Sequence, residues 1–359
     1  MTTCLDLTAE RSLAASATKV GSAERVLLPF KEDSLSTEDK QSLLQRYGCQ
    51  SSSYFNLQAG VQHFGSAHRG YVSYFRQRFL GSEFNIAFTR PVCADEDFHP
   101  LLDALEASTK RPSIFMAVDA DCASALIDRG YRCNDMGVEY SLSLNSFDVK
   151  GKEKKYLRWA SNFGRRGFVV KEQAWSEVNE DRVRDISERW RQTKAVTKRE
   201  LRLITRPPEY RDAWGVRKFF CYLKGELVGY VFFDPYFQDD KIIGYTANII
   251  RACPGIKPNG FLDYTILEAM KVFQKEGVAR LSLGLAPLHE LQSFPHEIAS
   301  LRYLQQLMYR YGSFLYAFQA LAYHKTRYRA QSEHWFQCIP PGISLPKATI
   351  ATLKAIQVF

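Results

Sequence analysis

The chain has 359 residues, of which 45% are apolar, and that length implies about two domains at roughly 150 residues each. Its 24 Phe, 19 Tyr and 5 Trp exclude a disordered protein, and a net charge of +9 with a pI near 9.0 favours an anionic partner such as RNA, phospholipid or a phosphorylated metabolite. No apolar run approaches the roughly 20 residues of a membrane helix and the N-terminus lacks a signal-peptide core, so the expectation is a cytoplasmic protein whose membrane contact is at most peripheral, at the inner face.

Residues 1–24 are small and polar and read as a flexible tail. Ser36-Thr37-Glu38-Asp39 is an N-cap pattern for a helix that ends at Gly48. Strands are expected over Gly70–Phe75, Phe84–Thr89, Ser113–Val118 and Tyr131–Leu144, with helices over Glu96–Thr109 and Ala120–Arg129. That mixture indicates an α/β or α+β domain of about 120 residues. The eight cysteines, at 4, 49, 93, 122, 133, 221, 253 and 338, form no Cys-x-x-Cys pair and have no His cluster beside them. They read as unpaired thiols of a reducing compartment, with no metal site.

Lys150 to Lys171 changes the composition: eight Lys and Arg stand against one acid, Glu153. Its helical stretch, Lys154 to Phe163, is followed by Arg165 and Arg166 between Gly164 and Gly167. Lys154, Lys155, Arg158, Arg165 and Arg166 are candidates for RNA or lipid phosphate; the alternative is a solvated face or linker. Asp181 to Lys194 reads as a second basic helix, Ala195 to Arg211 as irregular, and Phe219–Leu223 with Leu227–Phe233 as a hairpin turning at Lys224-Gly225. Next come a strand at Gly244–Ile250, a loop at Arg251–Gly260, a helix at Phe261–Glu276 and a strand at Ala279–Leu285. A loop feeding a helix N-terminus offers free N–H groups and a positive dipole end, and Arg251 and Asp263 flank it. A helix at Leu301–Tyr311, the aromatic and basic run Phe314–Arg329, a strand at Trp335–Ile339 and a helix from Ser344 to Val358 complete the chain. Both halves mix strands and helices around the basic helix, which suggests two related halves bridged by it.

The stretch around Arg251, Pro258-Asn259-Gly260, Asp263 and Leu283-Gly284-Leu285-Ala286-Pro287-Leu288 resembles the soluble synthase domain of lysyl- and alanyl-phosphatidylglycerol synthases. Gly151 to Gly167 is similar to the basic helix of that family, and Phe318-Gln319-Ala320-Leu321 with Lys325, Arg327, Tyr328 and Trp335 to its C-terminal pattern. The family's strand acid is Asn248 here, and the glycine of its Phe-x-Gly-Leu is Ala320. The resemblance covers about Ser51 to the C-terminus. It implies two tandem GNAT-like acyltransferase domains, 25–149 and 150–359, the second opening with the basic joining helix.

The implied reaction is transfer of an aminoacyl group from aminoacyl-tRNA to a hydroxyl of phosphatidylglycerol or a similar anionic phospholipid. The family's membrane flippase is not expected in this chain. An aminoacyl ester is already activated, so no metal or further cofactor is implied; the enzyme must place a hydroxyl, take its proton and stabilise an oxyanion. In this reading Asp263 orients the substrate amine or assists proton transfer, Arg251 holds phosphate or the terminal adenosine, and Lys325 and Arg327 hold lipid or tRNA phosphate. Asn248 decides whether the family's chemistry is kept, Trp190 forms a substrate wall and Lys194 lies beside it. The structural alternatives are a helix-capping carboxylate for Asp263, an ion pair for Arg251, a solvated face for Lys325 and Arg327, and core packing for Trp190. Gln274 to Ala279 mimics an acyl-CoA pyrophosphate loop but ends a helix rather than opening one, and His289 reads as incidental. Two other functions stand beside the first: a GNAT-type N-acyltransferase using acyl-CoA or acyl-carrier protein, and a non-catalytic RNA- or membrane-binding relative.

Overall fold

The computed structural model describes residues 29–194, 200–257, 260–314 and 316–358. The 1–24 tail, part of the irregular 195–211 piece and Pro258-Asn259 of the loop motif lie outside them. In chain order the elements are β1 (Lys31–Glu32), α1 (Thr37–Tyr47), β2 (Gln62–Ser66), β3 (Gly70–Phe79), β4 (Ser82–Phe88), β5 (Val92–Cys93), α2 (Asp95–Thr109), β6 (Ser113–Val118), α3 (Ala120–Asp128) and β7 (Arg132–Ser143). Then follow α4 (Lys155–Gly164), β8 (Phe168–Glu172), α5 (Glu180–Gln192), β9 (Arg217–Leu223), β10 (Glu226–Gln238), β11 (Lys241–Ala252), α6 (Phe261–Lys275) and β12 (Arg280–Pro287). The last are α7 (Ala299–Tyr311), α8 (Phe318–Thr326), β13 (Gln331–Ile339) and α9 (Leu345–Ile356).

Local chemistry explains several boundaries. Ser36 and Asp39 form a reciprocal capping box at the start of α1. Asp119 caps α3 through the Cys122 N–H. The β9–β10 hairpin turns at Lys224 and Gly225, both at positive φ (51° and 86°), the conformation of a two-residue type I′ turn.

The strands form one mixed sheet in the order β1-β2-β3-β4-β6-β13-β7-β12-β11-β10-β9-β8, with β5 on β3. One topological unit occurs twice. In the first half, β2, β3 and β4 are antiparallel neighbours, and the chain crosses through α2 to β6, parallel to β4. In the second, β9, β10 and β11 are antiparallel, and the chain crosses through α6 to β12, parallel to β11. The chain stitches the units together: β7 pairs with β12, and the late strand β13 enters between β6 and β7. α9 likewise returns to the first half, packing Ala348, Ala351, Ala355 and Ile356 on Phe84, Ile86 and Phe88.

Each half is a sheet covered on both faces, as a mixed α/β layer fold requires. α2 and α3 bury Phe98, Leu101, Leu105 and Leu126 on the face opposite α9. In the second half α6 buries Ile266, Met270 and Phe273 against Phe219, Phe233 and Tyr245. α5 covers the other face with Val183 and Ile186 against Tyr230, Phe232 and Ile249. α4 packs on α6 closely enough to need glycine at two points: a Cβ on Gly164 would meet the Tyr264 ring at 2.2 Å, and one on Gly260 the Trp159 ring at 2.7 Å.

Two expectations change. The strands β2 and β8 carry His, Gly, Ser, Lys and Glu, and their short apolar signal did not announce them. Cys133 and Cys338 are not unpaired thiols: they sit opposite each other on β7 and β13 and are joined as a disulfide, while Cys49, Cys93, Cys122, Cys221 and Cys253 are free.

Candidate functional site

β11 and β12 are hydrogen-bonded only at Gly244–Arg280, Tyr245–Leu281 and Thr246–Ser282. Beyond that point β11 continues to Ala252 and β12 to Pro287 without pairing to each other. Diverging parallel strands open a crevice at their carboxyl ends, the usual place for a ligand in such sheets. Asn248 and Arg251 stand on one lip; Gly284, at φ 76°, and Leu285 stand on the other. Lys325 of α8 reaches into this region and donates to the Leu285 carbonyl at 2.6 Å.

α8 also closes on Asp263, the third residue of α6. The carboxylate is 1% exposed. Its Oδ1 accepts from the Tyr328 hydroxyl at 2.9 Å and faces His324 Nε2 at 3.2 Å. Its Oδ2 accepts from the Tyr156 hydroxyl at 3.3 Å and faces the Arg327 guanidinium at 3.5 Å. Burial works against the charge, but His324, Arg327 and Tyr328 overcome it and hold the carboxyl below its ordinary range. Three elements thus converge on one anion: α4 through Tyr156, α6 through Asp263 itself, and α8 with the residues that follow it.

In front of this network lies a cavity of about 490 Å³ lined by Glu153, Lys155, Tyr156, Trp159, Tyr323, Thr326, Arg327 and Arg329. Arg327 is its floor, stacked 4.1 Å from the Tyr156 ring centre and 5.5 Å from that of Tyr323. Three cations and three aromatic rings against a single acid suit a ligand that carries phosphate together with a base or an apolar chain. A smaller notch near Glu172, Asp212 and Lys218 lies among none of these groups.

Arg251 occupies a different environment. It is 6% exposed, pairs with Glu200 at 2.8 Å and lies 3.7 Å over the Trp190 ring, with Ser187 at 3.4 Å. Lys194 caps the same ring at 4.3 Å. The expected meeting of Arg251 with Asp263 is therefore not made: they share no partner, because Arg251 turns to the α5 face of the sheet and Asp263 to the face of α4, α6 and α8. Trp190 is not core packing: partly buried, it lies between the Arg251 guanidinium and the Lys194 amine.

Asn248 is the extra residue of a β-bulge: Phe232 pairs with Ile249 and Phe233 with Ala247. Its Oδ1 accepts from the Thr205 hydroxyl at 2.8 Å and the Arg206 N–H at 3.3 Å, and its Nδ2 donates to the Arg206 carbonyl at 3.1 Å. Donor and acceptor are both used, which an amide does and a carboxylate does not. The neighbouring Arg206, 1% exposed and paired bidentately with the buried Asp234, was not singled out from the sequence.

A buried acid and a buried amine also escaped the sequence. Glu139 of β7 accepts from the Ser51 and Ser282 hydroxyls at 2.7 and 2.8 Å, and burial pushes its carboxyl up to about 7. Lys325 shares its field, and burial pushes that amine down to about 7. Lys325 is thus neither a solvated base nor a surface phosphate clamp. Only the splayed strands, read in three dimensions, disclose that the two lie near each other; no sequence spacing links 139 with 325.

The basic helix divides. Lys154 donates to the Asp148 carbonyl and Arg158 to the carbonyls of Val149 and Gly151, so both secure the turn before α4. Lys155 lines the cavity, and Arg165 and Arg166 are exposed and without ion pairs among the described residues. Gln274 binds the carbonyls of Leu144 and Phe147, and Gly277 at φ 77° ends α6, as the helix-stop reading expects. His289 is engaged by Tyr309 at 2.9 Å. The described residues hold no cluster of three or more His, Cys, Asp or Glu able to bind a metal, and no helix among them is long and apolar enough to cross a membrane.

Residues 41–339 match the family described as phosphatidylglycerol lysyltransferase, C-terminal. The chain is 24% identical over 224 residues to a phosphatidylglycerol lysyltransferase of Bacillus subtilis, an alignment covering 61% of this chain and 25% of that protein. It spans about a quarter of the length of the curated relatives it matches. Among solved structures, the C-terminal domain of a putative lysylphosphatidylglycerol synthetase from Agrobacterium fabrum superposes with a TM-score of 0.70 at 19% identity, covering 87% of this chain and 95% of that one. L-PGS from Bacillus licheniformis gives 0.73 at 17%, covering 89% and 96%. At those identities the likeness establishes the shared fold.

Proposed function

Since the chain belongs to the phosphatidylglycerol lysyltransferase C-terminal family, we propose that it is an acyltransferase moving an aminoacyl group from aminoacyl-tRNA to a hydroxyl of an anionic phospholipid. The observation that carries this reading is the cationic, aromatic cavity backed by the buried Asp263 network. In the reaction the acceptor hydroxyl attacks the aminoacyl carbonyl. The new ester C–O bond forms, the bond to the ribose oxygen breaks, and the hydroxyl proton ends on that oxygen.

Lys155, Arg327 and Arg329 hold phosphate, and Tyr156, Trp159 and Tyr323 stack on a base or flank the aminoacyl chain. Asp263 is a positioning residue: its charge fixes Arg327 and Tyr156 and attracts the aminoacyl ammonium. Lys325, buried in the crevice, donates to the Leu285 carbonyl and braces the strand end beside the site. Because the ester is activated, these steps need no cofactor. The twice-used topology supports a tandem GNAT-like organisation, 25–149 and 150–359, with β13 and α9 returning to the first unit. A cytoplasmic location at the inner membrane face follows from these substrates.

The test is incubation with a panel of charged, radiolabelled tRNAs and phosphatidylglycerol vesicles, followed by thin-layer chromatography of the lipid. Label is expected in a new, more cationic lipid. Folded wild-type protein that labels no lipid with any donor overturns the reading.

A further inference from the structure

α7 is amphipathic in the inverted sense. Leu301 and Gln305 face the protein, Gln305 donating to the Asp135 carbonyl at 3.1 Å. Tyr303, Leu307 and Tyr311 follow one another at i, i+4 along the outward side, with Leu304 beside them and Phe314 just beyond, and they are 37–70% exposed. An apolar stripe on the solvent side of a helix is a binding surface in want of an occupant. Residues 298–332 contain no Asp or Glu; of their cations Lys325 is buried, Arg302 pairs with Glu297 and Arg327 with Asp263, which leaves Arg310, without an ion pair among the described residues, and the half-exposed Arg329 to face an anionic surface.

The geometry points to this hairpin as the docking face for an anionic phospholipid bilayer. Exposed Leu and aromatic residues beside Arg form the pattern of a helix lying in a membrane interface, where side chains enter the headgroup boundary and the bases meet anionic lipid. A second copy of the chain is the poorer occupant, because a twofold interface would set this stripe and its Arg310 against themselves, with no Asp or Glu in residues 298–332 to pair it. RNA has little use for Leu304 and Leu307, since bases stack on rings and phosphates pair with cations. The face is continuous with the cavity: Gln319 of α8 donates to the Tyr309 and Arg310 carbonyls at the end of α7, and Tyr323 of α8 is both 68% exposed and a cavity wall. Docking there would bring the cavity mouth to the lipid surface. The inference deepens the function proposed above and rests on it for its purpose, though not for the binding itself.

The test uses the full chain and flotation with vesicles of phosphatidylcholine alone or with about 30% phosphatidylglycerol, which supplies the negative surface potential that attracts basic segments. The variant carries Leu304→Ser, Leu307→Ser and Phe314→Ser, all outside the cavity, and its folding is checked by circular dichroism. Wild type is expected to float with the anionic vesicles, and the variant to lose at least about tenfold in partitioning. With water-soluble dihexanoyl-phosphatidylglycerol as acceptor, the two should transfer at the same rate. A folded variant that floats like wild type overturns the docking face, as does a wild type that ignores anionic vesicles or whose stripe instead drives dimerisation in sedimentation equilibrium. If neither protein acylates any lipid but only the variant fails to float, the docking face stands and the transferase reading falls.

Discussion

The crossover helices α2 and α6 occupy equivalent places in the two topological units, and each has aspartate as its third residue. Asp97 of α2 bonds Arg69 at 2.7 Å near the surface, with its side chain 14% exposed. Asp263 of α6 is 2% exposed at the side chain and meets four partners. Both exploit the helix N-terminus, which favours a negative charge. What separates them is the sheet beneath. β4 and β6 pair from Asn85–Ser113 to Phe88–Met116, and Thr89 continues the ladder to Met116, so α2 covers a closed surface. β11 and β12 part after Thr246–Ser282, and α8 enters, bringing His324, Lys325, Arg327 and Tyr328. The same topology thus gives a near-surface, ion-paired carboxylate where strands stay paired and a buried anionic centre where they part.

The comparison predicts its largest effect at Asp263. Asp263→Ala leaves His324, Arg327 and two tyrosines facing a void, and breaking such a buried network costs about 3–5 kcal/mol. Asp263→Asn keeps the volume and should lower the transfer rate about 100-fold or more, read from labelled lipid. The pH profile carries a sign. The folded carboxyl lies below its unfolded value of about 4, so its stabilisation is present above that pH and lost as pH falls through the folded value. Asp263→Asn should remove that acid-side loss in urea titrations; a variant with wild-type rate and wild-type acid sensitivity would break the contrast with α2.

The buried Glu139 and Lys325 predict the next effect. Glu139 is raised from about 4.5 to about 7, so the unfolded chain ionises first and stability declines between those values as pH rises. The decline should approach about 3 kcal/mol, because each tenfold difference in proton affinity between the folded and unfolded chain is worth about 1.4 kcal/mol, and Glu139→Gln should abolish it. Lys325 is lowered to about 7, so above that pH the unfolded chain holds the extra proton and stability rises with pH toward the ordinary lysine value. Lys325→Met should flatten that limb alone. Urea midpoints at pH 5, 7 and 10 decide both; a profile with no minimum near 7 would show that the crevice is not dry.

Most elements were legible from periodicity and punctuation: Gly48, Gly225 and Gly277 fall where a cap, a turn and a helix stop require them. Asp263 was legible as a helix-opening acid, but its burial was not, because Tyr156 and Tyr328 approach from 107 and 65 residues away. Arg251 was misjoined to Asp263, since neighbours in a strand–loop–helix unit can face opposite sides of a sheet. Asn248 looked like a lost catalytic acid; the bulge shows it strapping Arg206 instead. Asn248→Asp would leave the Arg206 carbonyl without its donor, at a cost of about 1–3 kcal/mol, and should not raise transfer. A stable and faster Asn248→Asp enzyme would restore the view of this position as the reaction's missing carboxylate.

The smallest effect belongs to Asp97, and it tests whether burial is what divides the two aspartates. Asp97→Asn removes one arm of a near-surface ion pair and a favourable charge at a helix N-terminus, together worth about 1 kcal/mol or less. The loss should shrink further in 1 M salt, where the screening length falls to about 3 Å, whereas the rate loss of Asp263→Asn should persist because its network is shielded from the solvent. Transfer by Asp97→Asn should match wild type. If Asp97→Asn instead costs as much as Asp263→Asn, or resists salt equally, then helix position rather than strand separation governs these carboxylates, and the parting of β11 from β12 loses its claim to have made the site.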